Sequence, residues 1–157
     1  MAHDLPLQTD LAALLSMSFS AIIHELHQRL DALGFDDIRP AHGFLFQRIN
    51  PDGATGMEIA EHLGITKQAV SQMIDYLEQH EYVARRQHPK DGRGKIIVLT
   101  ERGWQLIHAR EAFYKEIEQQ WAAIIGSERL EHIKSDLSHI ILNIHAGEFP
   151  QRLRPVW

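Results

Sequence analysis

Gly56-Met57-Glu58-Ile59-Ala60-Glu61-His62-Leu63-Gly64-Ile65-Thr66-Lys67-Gln68-Ala69-Val70-Ser71-Gln72-Met73-Ile74, followed closely by Ala84-Arg85-Arg86-Gln87-His88-Pro89-Lys90-Asp91-Gly92-Arg93-Gly94-Lys95-Ile96-Ile97-Val98-Leu99-Thr100, is the stretch that decides the fold. The first segment has the pattern of two helices joined by a tight turn. Ile59, Leu63, Ile65, Val70, Met73, Ile74 and Leu77 are apolar at spacings that put one buried stripe on each helix. Ala60 is small enough for two helices to cross closely, and Gly64 stands where the chain must turn sharply. Thr55 and Glu58 have the spacing of a capping box at the start of the first helix. Thr66 can cap the second helix, which leaves Lys67, Gln68, Ser71, Gln72 and Asp75 on its outer side. Lys, Gln and Ser donate to phosphates or to base edges.

The second segment predicts a β-hairpin. Ile96-Ile97-Val98-Leu99 is rich in β-branched residues, and Pro89, Asp91-Gly92 and Gly94 are turn formers. Residues 82–102 hold six basic side chains against two acidic ones, a local +4 in a chain whose total is −5. Positive charge is thus focused on one element, as expected of a protein that meets phosphates with one face. A helix-turn-helix followed directly by a basic hairpin is the order of a winged helix, in which one helix enters the major groove and a loop lies beside it.

The bulk composition excludes several alternatives. The chain has 157 residues, 44% hydrophobic and 24% charged, as in a soluble globular protein with a core of its own. No apolar run approaches the length of a membrane span, and Met1-Ala2-His3-Asp4-Leu5-Pro6 lacks the pattern of a signal peptide. The expected location is therefore cytoplasmic, with no membrane partner. There is no cysteine, which removes disulfides, thiol redox switching and thiolate metal sites. No glycine-rich phosphate loop and no nucleophile elbow occurs, so an enzyme is not expected.

Outward from the decisive stretch, residues 9 to about 33 predict a long amphipathic helix, with Leu11, Leu15, Phe19, Ile22, Leu26, Leu30 and Leu33 recurring at helical spacing and Gly34 ending it. A second helix is expected over 40–49, with Pro40 at its start and Phe44, Leu45 and Ile49 inward. Asn50-Pro51-Asp52-Gly53 reads as a turn. Thr100 should cap a helix from 101 to about 125, with Ile107, Phe113, Ile117, Trp121 and Ile124 on one side. Gly126 breaks that helix and Ser127 should cap the last one, striped with Leu130, Ile133, Leu137, Ile140, Ile141 and Ile144. The tail carries Phe149, Leu153, Val156 and Trp157. The end helices hold more apolar surface than the central lobe can cover, and a twofold dimer is the simplest use of the excess. The fold class expected is mainly α: a winged helix-turn-helix with a two-stranded β-wing and N- and C-terminal dimerisation helices. It occupies 1–157 as one domain, with a DNA-binding lobe at 35–103 and dimerisation helices at 9–34 and 104–157.

The chain resembles the MarR family of bacterial transcriptional regulators. The resemblance runs over roughly residues 10–145. It rests on the first helix, on Thr55-Gly56-Met57-Glu58-Ile59-Ala60, on Gln68-Ala69-Val70-Ser71-Gln72-Met73-Ile74-Asp75-Tyr76-Leu77-Glu78, and above all on Asp91-Gly92-Arg93-Gly94-Lys95-Ile96-Ile97-Val98-Leu99-Thr100-Glu101-Arg102-Gly103. The last segment is similar to that family's wing signature: an Asp, an Arg two residues on, a strand, then Leu-Thr-x-x-Gly. The resemblance implies that Arg93 enters the minor groove, that Asp91 orients it, and that Lys67, Gln68, Ser71 and Gln72 lie on the recognition helix. With Arg86, Lys90 and Lys95 these are the expected DNA contacts. It also implies a homodimer that represses transcription from a palindromic operator. It implies no required cofactor, and a small lipophilic or anionic effector as a further partner. Members that sense oxidants through a first-helix cysteine differ from this chain, which has none.

Eleven histidines are many for this length. His24-Glu25-Leu26-His27 falls one residue short of a zinc-protease helix motif, whose two histidines lie four apart on one face. Some relatives sense zinc with His and carboxylates from the first, second and fifth helices, where His24, His27, His42 and His108 fall. A zinc-responsive regulator or metal-binding protein is the alternative this leaves open, against histidines that simply line the surface. His24 and His108 lie opposite the apolar stripes of their helices.

Overall fold

Helix ends follow from a few local contacts in the computed structural model, which describes residues 10–90, 92, 94–148 and 150. The chain divides into two compact units, Met1–Ile38 and Arg39–Trp157.

The first unit is built on α1, Leu11–Ala32. The Asp10 carboxylate accepts the Ala13 N–H at 2.7 Å and so satisfies one of the donors a helix start leaves open. Gly34, at φ 87°, takes the left-handed conformation that ends the helix. Leu26, Leu30, Phe35 and Ile38 are buried, whereas Leu11, Leu15 and Phe19 of the same expected stripe are exposed in a single chain.

The second unit begins with α2, Pro40–Ile49, where proline occupies the first turn. Leu45, Phe46 and Ile49 are fully buried. The expected inward residue Phe44 is only half-buried. Phe46 takes that place and meets the Tyr82 ring edge-on at 6.1 Å. Then come β1 (Ala54–Thr55), α3 (Gly56–Leu63), α4 (Lys67–Gln79), β2 (Val83–Gln87), β3 (Lys95–Leu99), α5 (Glu101–Ile125) and α6 (Ser127–Ile144). Ile59, Leu63, Val70, Ile74, Leu77, Val83, Ile97 and Leu106 close the core around the helix-turn-helix. Ile65 and Met73, also expected inward, are exposed and half-buried respectively.

The expected two wing strands are joined by a third. The antiparallel sheet has the order β1-β3-β2, with Ala54 opposite Ile97 and Thr55 opposite Ile96. Gly53, at φ 84°, makes this possible, since a Cβ there would lie 2.8 Å from the Ile97 carbonyl oxygen.

Thr100 caps α5 by accepting the Gly103 N–H at 3.1 Å, as expected. Leu106, Ile107, Phe113 and Ile117 form its buried side. Trp121 is half-buried and Ile124 is exposed, so the stripe stops short of the helix end. Ser127 does not cap α6; it is the first helical residue, and Gly126 holds the cap position without a side-chain bond. Lys134 on α6 joins Glu118 of α5 at 2.9 Å. Leu130 is buried, but Ile133, Ile140 and Ile144 are exposed. The tail residues Phe149, Leu153, Val156 and Trp157 lie outside the described residues. Among the described residues no helix is long and apolar enough to cross a membrane.

Candidate nucleic-acid interface

The outer face of α4 is built by the two ends of α3 and by the cap of α4 itself. At the start of α3, Thr55 Oγ1 accepts the Glu58 N–H at 3.2 Å, and Glu58 Oε2 accepts the Thr55 N–H at 2.7 Å, which completes the capping box. The Thr55 backbone and hydroxyl donors, with Arg48 at 3.0 Å, hold the Glu58 carboxyl below its ordinary range. At its end, Gly64 adopts φ 65° and donates to Ala60 O at 2.9 Å. Thr66 Oγ1 then accepts the Ala69 N–H at 3.2 Å and starts α4. With Val70, Ile74 and Leu77 buried on one side, Lys67, Gln68, Ser71 and Gln72 are all exposed on the other.

The hairpin carries the second set of predicted contacts. Gln87 Nε2 donates to Gly92 O at 2.6 Å and the His88 N–H donates to Gly94 O at 2.9 Å, so the loop is closed on itself. Arg86, Lys90 and Lys95 are exposed. Asp91 and Arg93 lie outside the described residues. Strand register separates the rest by face. Arg85 pairs with Ile97 and Gln87 with Lys95, while Arg86 pairs with Ile96. Paired residues share a face and neighbours alternate. Arg85 and Lys95 are therefore on the α4 side of the sheet and Arg86 is on the other. A cleft of about 350 Å³ runs between α4 and the sheet, lined by Met57, Lys67, Ser71, Ile74, Arg85 and Lys95 among others. Lys67, Ser71 and Lys95 share it with apolar Met57, Val70, Ile74 and Ile97.

Sequence reasoning passed over Arg85 as one cation among six. In the structure its guanidinium bonds both Asp75 and Glu78 of α4, and its backbone N–H donates to Glu78 Oε1 at 3.1 Å. The hydrogen bond to Asp75, then the Glu78 charge, make that guanidinium a still weaker acid than usual. Asp75, read as an outward residue of the recognition helix, thereby shares one cation with Glu78. Asp75 and Glu78 lie one turn apart on α4, which is visible in the sequence, but their partner lies across a chain reversal.

Of the four candidate histidines, His24 and half-buried His27 lie in the first unit, and His42 and His108 in the second. His24 is exposed and its Nε2 lies 3.0 Å from Gln28 Nε2; His108 is exposed beside Trp104. His42 is not a surface residue: it is 6% exposed, its Nδ1 accepts the Arg39 N–H at 3.1 Å, and its ring lies 5.3 Å from that of Tyr76. Among the described residues no three His, Cys, Asp or Glu side chains gather as a group that could hold a metal ion.

Residues 39–94 match the family model described as MarR family. The structure is similar to that of MepR, a transcription regulator of the Staphylococcus aureus multidrug efflux pump MepA, with 26% identity, a TM-score of 0.64, and coverage of 86% of this chain and 98% of that one. It is similar also to S. aureus MepR in its DNA complex, at 25% identity and TM-score 0.63, covering 88% and 99% of the two chains. YusO protein from Bacillus subtilis is a third such structure, at 26% identity and TM-score 0.65, covering 85% and 95%. The MarR resemblance of the sequence and the mainly helical winged-helix fold are both borne out.

Proposed function

We propose that this chain, a winged helix of the MarR type, binds duplex DNA sequence-specifically as a homodimer on a palindromic operator and represses transcription there. The observation that carries the reading is the exposed row Lys67, Gln68, Ser71 and Gln72 on α4, of which Lys67 and Ser71 share one cleft with Lys95 of the wing. Glutamine amides suit adenine in the major groove, and lysines suit phosphate. The similar S. aureus MepR forms a complex with DNA, which supports DNA as the partner here. In this reading Arg86, Lys90, Asp91 and Arg93 complete the contacts, with Arg93 in the minor groove as the family resemblance implies.

The division of labour follows the same lines, with residues 35–103 holding DNA and the helices of 9–34 and 104–157 holding the second copy. Exposed Leu11, Leu15 and Phe19 on α1, and exposed Ile133, Ile140 and Ile144 on α6, support this, because apolar surface of that extent gains stability when covered. A small lipophilic or anionic effector is the release signal that the resemblance supports.

Selection of bound fragments from genomic DNA tests the proposal, followed by fluorescence anisotropy at about 0.15 M salt. The expected result is an inverted repeat with half-sites about 10 to 10.5 bp apart, or a multiple of that spacing. Equal affinity for all duplexes, or no affinity, would overturn it.

A further inference from the structure

The geometry points to Arg85 as a positioning residue: it gives up its charge to Asp75 and Glu78 so that the recognition helix and the wing meet DNA as one rigid surface. The inference rests on the proposed DNA reading and adds a residue to it. Arg85 is the first wing-strand cation, on the α4 side of β2. Its fork spans two carboxylates one helical turn apart, and its own N–H adds a third bond at 3.1 Å to Glu78. A guanidinium is suited to such bidentate holding, whereas a lysine is a single point of charge. The contact sits at the wing root, beside the cleft that Lys67, Ser71 and Lys95 share. By contrast, no carboxylate among the described residues pairs with Lys67, Lys90 or Lys95, which stay exposed.

Simple electrostatics and the clamp make opposite demands on the same substitution. Asp75 is exposed along 63% of its side chain and stands on the helix that faces DNA. Removing two negative charges from that helix should tighten binding to any duplex. If Arg85 holds helix and wing in register, the same change should loosen binding to the right duplex. Two contact sets that are fixed relative to each other act as one ligand, and the gain shrinks when the link must be ordered on binding.

The probes are the tightest fragment recovered by the selection above and a shuffled duplex of the same length. For Asp75→Ala/Glu78→Ala we expect equal or higher affinity for the shuffled duplex and lower affinity for the selected one. The ratio of the two should fall at least tenfold. Arg85→Met should lower that ratio similarly. In the free protein, both variants should speed amide exchange in Val83–Gln87 and Lys95–Leu99 while leaving α2 unchanged. A general loss of stability would not separate the two duplexes at a temperature where both variants are folded. A ratio that is unchanged or raised in the double variant would overturn the inference, since the clamp would then add nothing to discrimination. If the wild type binds no duplex, the DNA reading fails by itself. Exchange in the free protein then decides the clamp: faster wing exchange upholds it and unchanged exchange removes it.

Discussion

Gly103→Ala should destabilise the protein by about 2 to 4 kcal/mol, although alanine is the better helix former. Gly103 lies in the first turn of α5 and is the last residue of the Leu99-Thr100-Glu101-Arg102-Gly103 signature. A Cβ at this position would stand 2.2 Å from Tyr82 O, 3.0 Å from Leu99 Cδ2 and 3.3 Å from Tyr82 C. The Tyr82 backbone cannot retreat cheaply. Its N–H donates to Leu77 O at 2.9 Å, its carbonyl accepts the Thr100 N–H at 3.1 Å, and its side chain is fully buried. The Thr100 hydroxyl also donates to Glu81 O beside it. To relieve the overlap, α5 must move by about 1 Å, and one or both Thr100 bonds must stretch. Overpacking of this kind costs about 1 to 3 kcal/mol, and each weakened hydrogen bond about 1 kcal/mol more. The intrinsic gain of Ala over Gly in a helix returns at most about 1 kcal/mol. The assay is urea unfolding at fixed protein concentration, because the apparent stability of the proposed dimer depends on concentration. The melting temperature should drop by roughly 5 to 15 °C. Gly56→Ala is the control: nothing lies within 4 Å of a Cβ there, and stability should change by no more than about 0.5 kcal/mol or rise. A Gly103→Ala protein as stable as the wild type would refute the packing argument.

Other outcomes follow from the same geometry. Glu58 has a folded-state pKa below its ordinary 4.5, so its contribution is present above that pH and is lost as pH falls through the depressed value. Glu58→Gln should therefore lower the urea midpoint near neutral pH and converge on the wild type once the pH falls below the depressed value; a gap that widens in acid would contradict the assignment. Lys67→Ala should weaken all duplexes alike and reduce the salt slope by about one, whereas Gln72→Ala should flatten preference at one or two positions of each half-site, at roughly 1 to 3 kcal/mol. Identical effects of the two changes on a panel of operator variants would count against the groove assignment. Leu137→Asp, on the largely exposed face of α6, should weaken self-association by several kcal/mol because it buries an unpaired charge in the proposed dimer. Sedimentation decides this, and a folded wild-type monomer at micromolar concentration would end the dimer reading.

The elements that were legible in the sequence are those whose signal is local. The capping boxes and turns of α3, α4 and α5 involve residues three or four apart, and Thr55, Thr66, Gly64 and Thr100 act as their spacing predicts. β1 was not legible, since two residues cannot display an alternating pattern and their pairing with Ile96 and Ile97 is long-range. Ser127 misled for a related reason. A serine after a glycine satisfies the cap rule in one dimension, but here the helix starts one residue early, with Gly126 at the cap position. His42 is the sharpest case. Its residue type suggested a surface group or a metal ligand. Its place at the start of α2 buries it as an acceptor for the Arg39 N–H and a neighbour of the Tyr76 ring. Nothing within its own helix signals that Tyr76 will be there.

The charge count of the hairpin illustrates how type and role diverge. Residues 82–102 sum to +4 when every cation is treated alike. The structure sorts them by partner. Arg85 is held by Asp75 and Glu78, and Arg102 lies 4.7 Å over the Tyr82 ring and donates to its hydroxyl at 3.0 Å. Both face their own protein. Arg86 is exposed on the far face of the sheet from α4. What the described residues leave near the recognition helix is Lys67 and Lys95, with Lys90 further along the loop. Lysine is a compact, hydrated point charge that suits phosphate and lacks the fixed fork of a guanidinium. Under the proposed function, these cations position the protein, and preference within the major groove falls to the amides of Gln68 and Gln72. Those groups match adenine, so adenine in the contacted positions of each half-site is what this arrangement of charge demands.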